Sequence, residues 1–183
     1  MALQNAIGFF ESLGKQPVSD DVVIGTQTWK LKNVASNILG SKVPNNDEGN
    51  RIVYGGLYLE SMFAGIEALY PGYHIPTMAE WITLSTFLGG DGVSGGYLKE
   101  AGVAHWITPN TDADNSSGFT ALPAGYISGS TVFQFRTRAY FCCSDSPTEP
   151  GTYGRLMFND YASLSNWTSA EVGFYHSVRL IKD

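Results

Sequence analysis

Two blocks inside residues 72–126 constrain this chain more than any other feature. They are Gly72-Tyr73-His74-Ile75-Pro76-Thr77-Met78-Ala79-Glu80-Trp81 and Gly118-Phe119-Thr120-Ala121-Leu122-Pro123-Ala124-Gly125-Tyr126. Glycine and proline lock loops, and aromatic rings fill cores. Neither block sets a nucleophile beside a base. The pattern is that of a scaffold for display or recognition, without visible catalytic machinery.

Composition narrows the possibilities. A chain of 183 residues reads as one domain able to bury a real core. Charged residues make up 15% of it, against about 25% in soluble domains generally. Aromatic residues reach 13%, and there are 21 glycines, a mix that predicts short strands and tight turns. Net charge is −6 and no Lys/Arg cluster is present, which argues against a nucleic-acid partner. No apolar run approaches the roughly 18 residues of a membrane span. Cys142 and Cys143 are adjacent. Neighbours on a strand point to opposite faces, so this is no disulfide framework, and at least one is expected to be a buried free thiol.

Residues 1–13 lack a basic leader and a long apolar core, and Glu11 interrupts them. The expectation is a chain made in the cytoplasm that leaves by another route, such as lysis as part of a virus particle. Residues 1–20 read as an amphipathic helix and linker, with Leu3, Ile7, Phe10 and Leu13 on one face and Pro17 in the linker. That face packs on its own domain or forms an assembly seam. Residues 21–183 form the domain proper. Residues 21–31 predict a hairpin turning at Gly25-Thr26. Residues 34–50 predict a loop, and 56–70 a helix with Leu59, Phe63, Ile66, Leu69 and Tyr70 as its stripe. Thr77 and Glu80 form a capping box for a second helix. That helix should bury Trp81, Leu84, Phe87 and Leu88 and stop at Gly89-Gly90. Strands are expected at 131–135, 138–142, 154–159 and 174–181, and loops at 110–118, 144–151 and 163–170. The class is α+β, two helices packed on an irregular antiparallel sheet.

Further blocks, in order, are Val23-Ile24-Gly25-Thr26-Gln27-Thr28-Trp29, Gly55-Gly56-Leu57-Tyr58, Leu88-Gly89-Gly90, Gly95-Gly96-Tyr97-Leu98-Lys99-Glu100, His105-Trp106, Pro109-Asn110 and the closing Ser177-Val178-Arg179-Leu180-Ile181-Lys182-Asp183. With the two above, they resemble the Fibrobacter succinogenes major paralogous domain over residues 21–183. The resemblance implies a C-type lectin-like fold, shared with formylglycine-generating enzymes and retroelement-diversified variable proteins. It implies a twisted antiparallel sheet, two flanking helices, long loops, adjacent terminal strands, and surface or adhesive roles. Members usually open with a secretion or lipoprotein signal, and usually carry Gly-Phe before the final Ser-Val-Arg. Here the latter position is Tyr175-His176.

The chemistry is sparse. His74, His105 and His176 are scattered, each readable as an acid–base group or as a core histidine. Asp112, Asp114 and Asn115, with Asn110 and Ser116, could offer oxygen ligands to Ca²⁺ or simply cap their own turns; the turn network is the preferred reading. Glu149-Pro150-Gly151 and Asn166-Trp167-Thr168 depart from the motifs of calcium-dependent lectins of this fold. No cofactor is expected beyond that optional calcium. The cysteine pair of the enzymatic relatives is separated, whereas Cys142 and Cys143 are adjacent, so no enzyme is expected. The best recognition surface is Tyr153, Arg155, Asn159, Tyr161, Asn166 and Trp167, residue types that adaptable binding surfaces favour. The resulting expectation is a non-enzymatic phage virion protein: a fibre tip, decoration or receptor-binding subunit. Its partners would be other virion proteins or itself, as a homotrimer, and a host surface glycan or protein. The alternatives are a bacterial cell-surface adhesin domain and a formylglycine-generating-type oxidase.

Overall fold

The hairpin expected at the start of the domain is present. β1 (Asp21–Ile24) pairs with β2 (Gln27–Lys30), with Ile24 opposite Gln27 across the Gly25-Thr26 turn. In this computed structural model, residues 20–145, 152–169 and 173–183 are described. The expected helix carrying Leu3, Ile7, Phe10 and Leu13, and the Glu149-Pro150-Gly151 triplet, lie outside them. β10 (Ile181–Lys182) inserts between β2 and β3 (Tyr73–His74), giving an antiparallel sheet in the order β1-β2-β10-β3. The domain's first and last strands therefore lie close together, as the resemblance implies.

Four short helices are present among the described residues, where two were expected: α1 (Asn50–Tyr54), α2 (Phe63–Leu69), α3 (Met78–Phe87) and α4 (Asp91–Leu98). The helix expected over 56–70 is confined to α2 and a preceding 3-10 turn, Glu60–Met62. Leu57 and Tyr58 are fully buried, and their backbones instead bridge to Lys42 and His176. Long-range pairing overrides local helical spacing there. α3 begins at the expected capping box, with the Thr77 side chain accepting from the Glu80 N–H and the Glu80 side chain accepting from the Thr77 N–H. Trp81, Leu84 and Ser85 are buried on one face, but Phe87 lies off that face and is exposed. α4 escapes sequence reading because three of its eight residues are glycine, each costing about 1 kcal/mol in helix propensity. Two of those glycines answer a packing demand. A Cβ on Gly95 would sit 2.3 Å from the Ser163 carbonyl oxygen, and one on Gly96 would sit 2.5 Å from that of Asp112.

The expected single sheet is three small antiparallel ones. Besides the first, β4 (Tyr126–Ser128), β5 (Thr131–Phe133) and β9 (Phe174–Tyr175) order as β5-β4-β9. β6 (Arg138–Cys142), β7 (Thr152–Phe158) and β8 (Leu164–Ser169) order as β6-β7-β8. β8 occupies what was expected to be a loop, and β4 was not foreseen. The strand expected over 174–181 breaks into β9 and β10, because the chain between them crosses from one sheet to another. Isolated bridges stitch the sheets, Gly125 to Ala139, Phe141 to Ser177 and Tyr58 to His176. The architecture is α+β.

Trp29, Trp81, Phe119 and Phe141 form the centre of the largest core cluster. Their ring centroids lie 4.9–5.8 Å apart in tilted and edge-to-face pairs, the geometry that aromatic quadrupoles favour. Cys142 and Cys143 are both buried free thiols, one in each of two adjoining core clusters.

Candidate functional site

The register of β7 against β8 sets Tyr153 opposite Thr168, Gly154 opposite Trp167 and Arg155 opposite Asn166. Strand alternation then places Tyr153, Arg155 and Asn166 on one face and Trp167 on the other. The six residues expected to form one surface are thereby separated. Arg155, expected at the surface, is 1% exposed. Its guanidinium pairs with Asp91 of α4, donates to the Asn166 side chain, and reaches the Leu164 carbonyl at 3.2 Å. It fastens α4 to the sheet. Tyr153 packs against the large core cluster. Asn159 ties two loops, donating to the Thr108 carbonyl at 3.1 Å and accepting from the Thr111 N–H at 2.8 Å. Tyr161 is 57% exposed, with its ring edge-on to Phe158.

Trp167 sits on the other face of the sheet, where the structure builds a site that sequence reading did not assemble. Its indole crosses the sheet over Gly154 and donates to the Phe141 carbonyl at 3.3 Å. A Cβ on Gly154 would lie 1.8 Å from that carbonyl oxygen and 2.8 Å from the indole nitrogen, so only glycine fits beneath the ring. The indole lies against the His176 ring, with centroids 4.1 Å apart, and Tyr140 meets it edge-on at 5.6 Å. Tyr126 stacks on His176 at 5.7 Å, and Phe174 closes on Tyr126 at 5.8 Å. These rings, with Leu156, Thr168 and Ser169, line a groove of about 270 Å³ between the β6-β7-β8 and β5-β4-β9 sheets. Among the described residues, no Asp, Glu, Lys or Arg lines it.

His176 is a fixed part of this wall. Its backbone makes two hydrogen bonds to Tyr58, at 2.9 and 3.1 Å. The residue is 2% exposed, and its Nδ1 has no hydrogen-bond partner. Burial alone lowers its pKa to about 3, so it is a neutral imidazole at physiological pH. Tyr140, by contrast, has its hydroxyl engaged, donating to Gln134 and accepting from Arg138 at 3.3 Å.

The other groups with chemical potential are occupied. His74 lies between Glu80 (2.9 Å) and Asp183 (2.8 Å), and His105 meets Glu100 at 2.7 Å. Both histidines are partly exposed, and their partners are carboxylates that the fold, not the sequence spacing, delivers. Burial opposes the His74 imidazolium, but the hydrogen bonds of Asp183 and Glu80 outweigh it and raise its pKa. Lys99 is fully buried and donates to the carbonyls of Thr111, Phe158 and Tyr161 at 2.9–3.0 Å. Burial lowers its pKa to about 8. Burial also pushes the Cys143 thiol up to about 12 and Cys142 well above its ordinary value, so both remain un-ionised. Asp112 and Asp114 are exposed. The Asp114 carboxylate accepts from the Ser116 N–H at 2.8 Å, and Asn115 exchanges two hydrogen bonds with Thr120, a network of the kind expected for that loop. Among the described residues, no group of three or more His, Cys, Asp or Glu side chains is placed to share a metal ion. No helix among them is long and apolar enough to cross a membrane.

No curated protein and no solved structure matches the chain. A family model does match, over residues 22–182, and it spans the hairpin, all four helices and the aromatic groove: the chain belongs to the Fibrobacter succinogenes major domain family.

Proposed function

We propose that this chain is a recognition domain, not an enzyme, with a C-type lectin-like fold whose binding face is the aromatic groove around Trp167 and His176. The groove itself carries this reading. Five ring-bearing side chains converge on one hollow, and no charged side chain among the described residues lines it. Rigid aromatic walls give large contact area at low entropy cost, and Trp and Tyr are the residues that most often dominate binding energy. The engagement of Lys99, Arg155 and the two thiols in the interior supports a non-catalytic role. The α+β architecture, with the first and last strands in one sheet, supports the lectin-like assignment.

The biological setting we propose is display on a phage virion, as a fibre tip, decoration or receptor-binding subunit contacting a host surface glycan or protein. Display on a bacterial surface would use the same groove. Immunogold labelling of particles and of cells separates the two settings.

The groove is tested by labelled protein binding to a panel of intact bacterial cells and extracted surface polysaccharides. A Trp167→Ala variant that keeps its circular dichroism spectrum should lose binding at least tenfold. Tyr161→Ala, outside the groove, should bind like the parent. Parental binding by folded Trp167→Ala and Phe174→Ala variants would overturn the assignment.

A further inference from the structure

A second pocket shares no lining residue with the aromatic groove and has a different chemistry. It opens between the residues that follow β2, the helix α1 and the 120–122 loop, with a volume of about 300 Å³. We propose that it binds a small carboxylate carrying a short apolar group. The carboxylate meets the under-used edge of the Arg179 guanidinium and the Lys32 ammonium. The apolar group lies against Ile52, Val53 and Leu122.

Backbone geometry makes the pocket. Gly55 ends α1 at a φ of 85°, and a Cβ there would lie 2.6 Å from the Asn33 Cβ and 2.8 Å from the Val34 carbonyl oxygen. Only glycine lets the helix end close on the chain that leaves β2. The Asn33 side chain bridges that contact, donating to the Tyr54 carbonyl at 2.8 Å and accepting from Arg179 Nε at 3.0 Å. Asn33, Gly55 and Arg179 are the buried part of the lining, whereas Lys32, Ile52 and Val53 are exposed.

The first argument is the unequal use of the guanidinium. Nε and Nη1 are spent on Asn33 and on the carbonyls of Lys30, Leu31 and Phe119, all at 3.0 Å or less. Nη2 carries two N–H bonds and reaches only the Thr120 carbonyl, at 3.5 Å. That is well beyond the usual ~2.9–3.0 Å. Thr120 and Arg179 both line the pocket, which puts the under-used edge at its wall.

The second argument is charge. Among the described residues, no carboxylate pairs with Arg179 or Lys32, and none lines the pocket. Burial lowers the Arg179 pKa to about 9, which leaves the group cationic at neutral pH. In a chain of net charge −6, this hollow is locally positive. It repels a cation, and a neutral ligand leaves the buried charge without a counter-ion. A carboxylate's two oxygens suit one guanidinium edge and one ammonium. A phosphate would add a third oxygen and a second charge with no further cation to meet them.

The third argument is the apolar wall. Leu31, Ala35, Ile52, Val53 and Leu122 make up much of the remaining lining, and Ile52 is 85% exposed. An apolar group laid on them removes that surface from water. The pocket lies at the lower end of the ~300–1,000 Å³ typical of small-molecule sites, which leaves room for one short acyl or aryl group.

The test is an NMR titration of the full, isotope-labelled chain with hexanoate and benzoate. Hexanamide removes the charge, hexylamine reverses it, and acetate removes the apolar group. The expected result is saturable shifts at the amides of Ala35, Val53 and Leu122 and at the Arg179 Nε–H, with Kd in the millimolar range. Hexanamide, hexylamine and acetate should each bind at least about tenfold more weakly than hexanoate. Lys32→Gln and Ile52→Ser alter exposed side chains and should keep the fold, each weakening hexanoate about threefold. Arg179 itself is left intact because it also holds the fold together, and its Nε–H signal is a readout that a purely structural arginine would not move. Folded Trp167→Ala should bind hexanoate as the parent does. The proposal is overturned if neither carboxylate saturates, or if the shifts miss the Arg179 Nε–H and the lining amides. It is equally overturned if hexanamide matches hexanoate, which makes the pocket merely apolar, or if acetate does, which makes it merely a charged surface. Parental binding by both Lys32→Gln and Ile52→Ser overturns it as well.

Discussion

Arg179 and His176 lie on the same closing segment, are 1% and 2% exposed, and have opposite surroundings. Arg179 Nε donates to the Asn33 side chain at 3.0 Å. Its Nη1 reaches the carbonyls of Lys30, Leu31 and Phe119 at 2.8–2.9 Å, with the guanidinium 4.1 Å above the Phe119 ring. It cross-ties the hairpin, the 118–120 loop and the final strand. His176 Nδ1 has nothing. A buried cation with that many acceptors is a fastener, because each carbonyl it serves would otherwise be desolvated and unpaired. A buried neutral ring with an idle nitrogen contributes shape to the core, and that nitrogen contributes no hydrogen bond.

Mutating the fastener should give the largest effect. Arg179→Met removes the donors and strands the carbonyls, and should cost about 3–5 kcal/mol, as for removal of one member of a buried charged network. Urea unfolding measures it; a loss under about 1 kcal/mol would break the comparison. Lys99→Met repeats the experiment with three carbonyls instead of a wider net, and should cost about 1–3 kcal/mol.

His176→Phe should do the reverse. Replacing an unpaired buried polar ring by an apolar one of similar shape should leave stability unchanged or raise it by up to about 1–2 kcal/mol. Its pH profile sharpens the point. Native His176 stays unprotonated down to about pH 3, while the unfolded chain takes up the proton near the ordinary value of about 6.5. The unfolded state binds more protons in that window, so this residue's effect is to reduce stability as pH falls through it. The phenylalanine variant should lose less of its melting temperature between pH 6.5 and 4 than the parent does.

His74 offers the smallest and opposite effect. Its pKa is raised by Asp183 and Glu80 against the cost of burial. Its contribution is therefore full below the unfolded value and is lost as pH rises through the folded one. His74→Gln should flatten the slope on the alkaline side and leave the acid side governed by His176. An unchanged profile would show that the Glu80–His74–Asp183 contact does not persist in solution.

Much of the frame was legible because its signals are local. The Gly25-Thr26 turn, the Thr77–Glu80 capping box, the burial of Trp81 and Leu84, and the 138–142 strand each depend on a few neighbouring residues. α4 was not legible, since its glycines look like a breaker until Ser163 and Asp112 are placed against them. Nor was β8, whose polar residues 165, 166 and 168 read as a loop.

The candidate site shows the same division more sharply. Trp167 was singled out from its residue type and Tyr175-His176 from its departure from the family pattern. Joining the two took the pairing of β7 with β8, the bare Gly154 beneath the indole, and the bridge from His176 to Tyr58. The same register carried Arg155 and Asn166 to the opposite face, where they fasten α4. Sequence alone determined the family, the α+β class, the hairpin and the capped helix, because turn chemistry, caps and hydrophobic spacing act over a few residues. Which polar side chains are buried with partners and which without was decided only by the tertiary structure, because strand alternation and long-range pairing assign each residue its face and its neighbours.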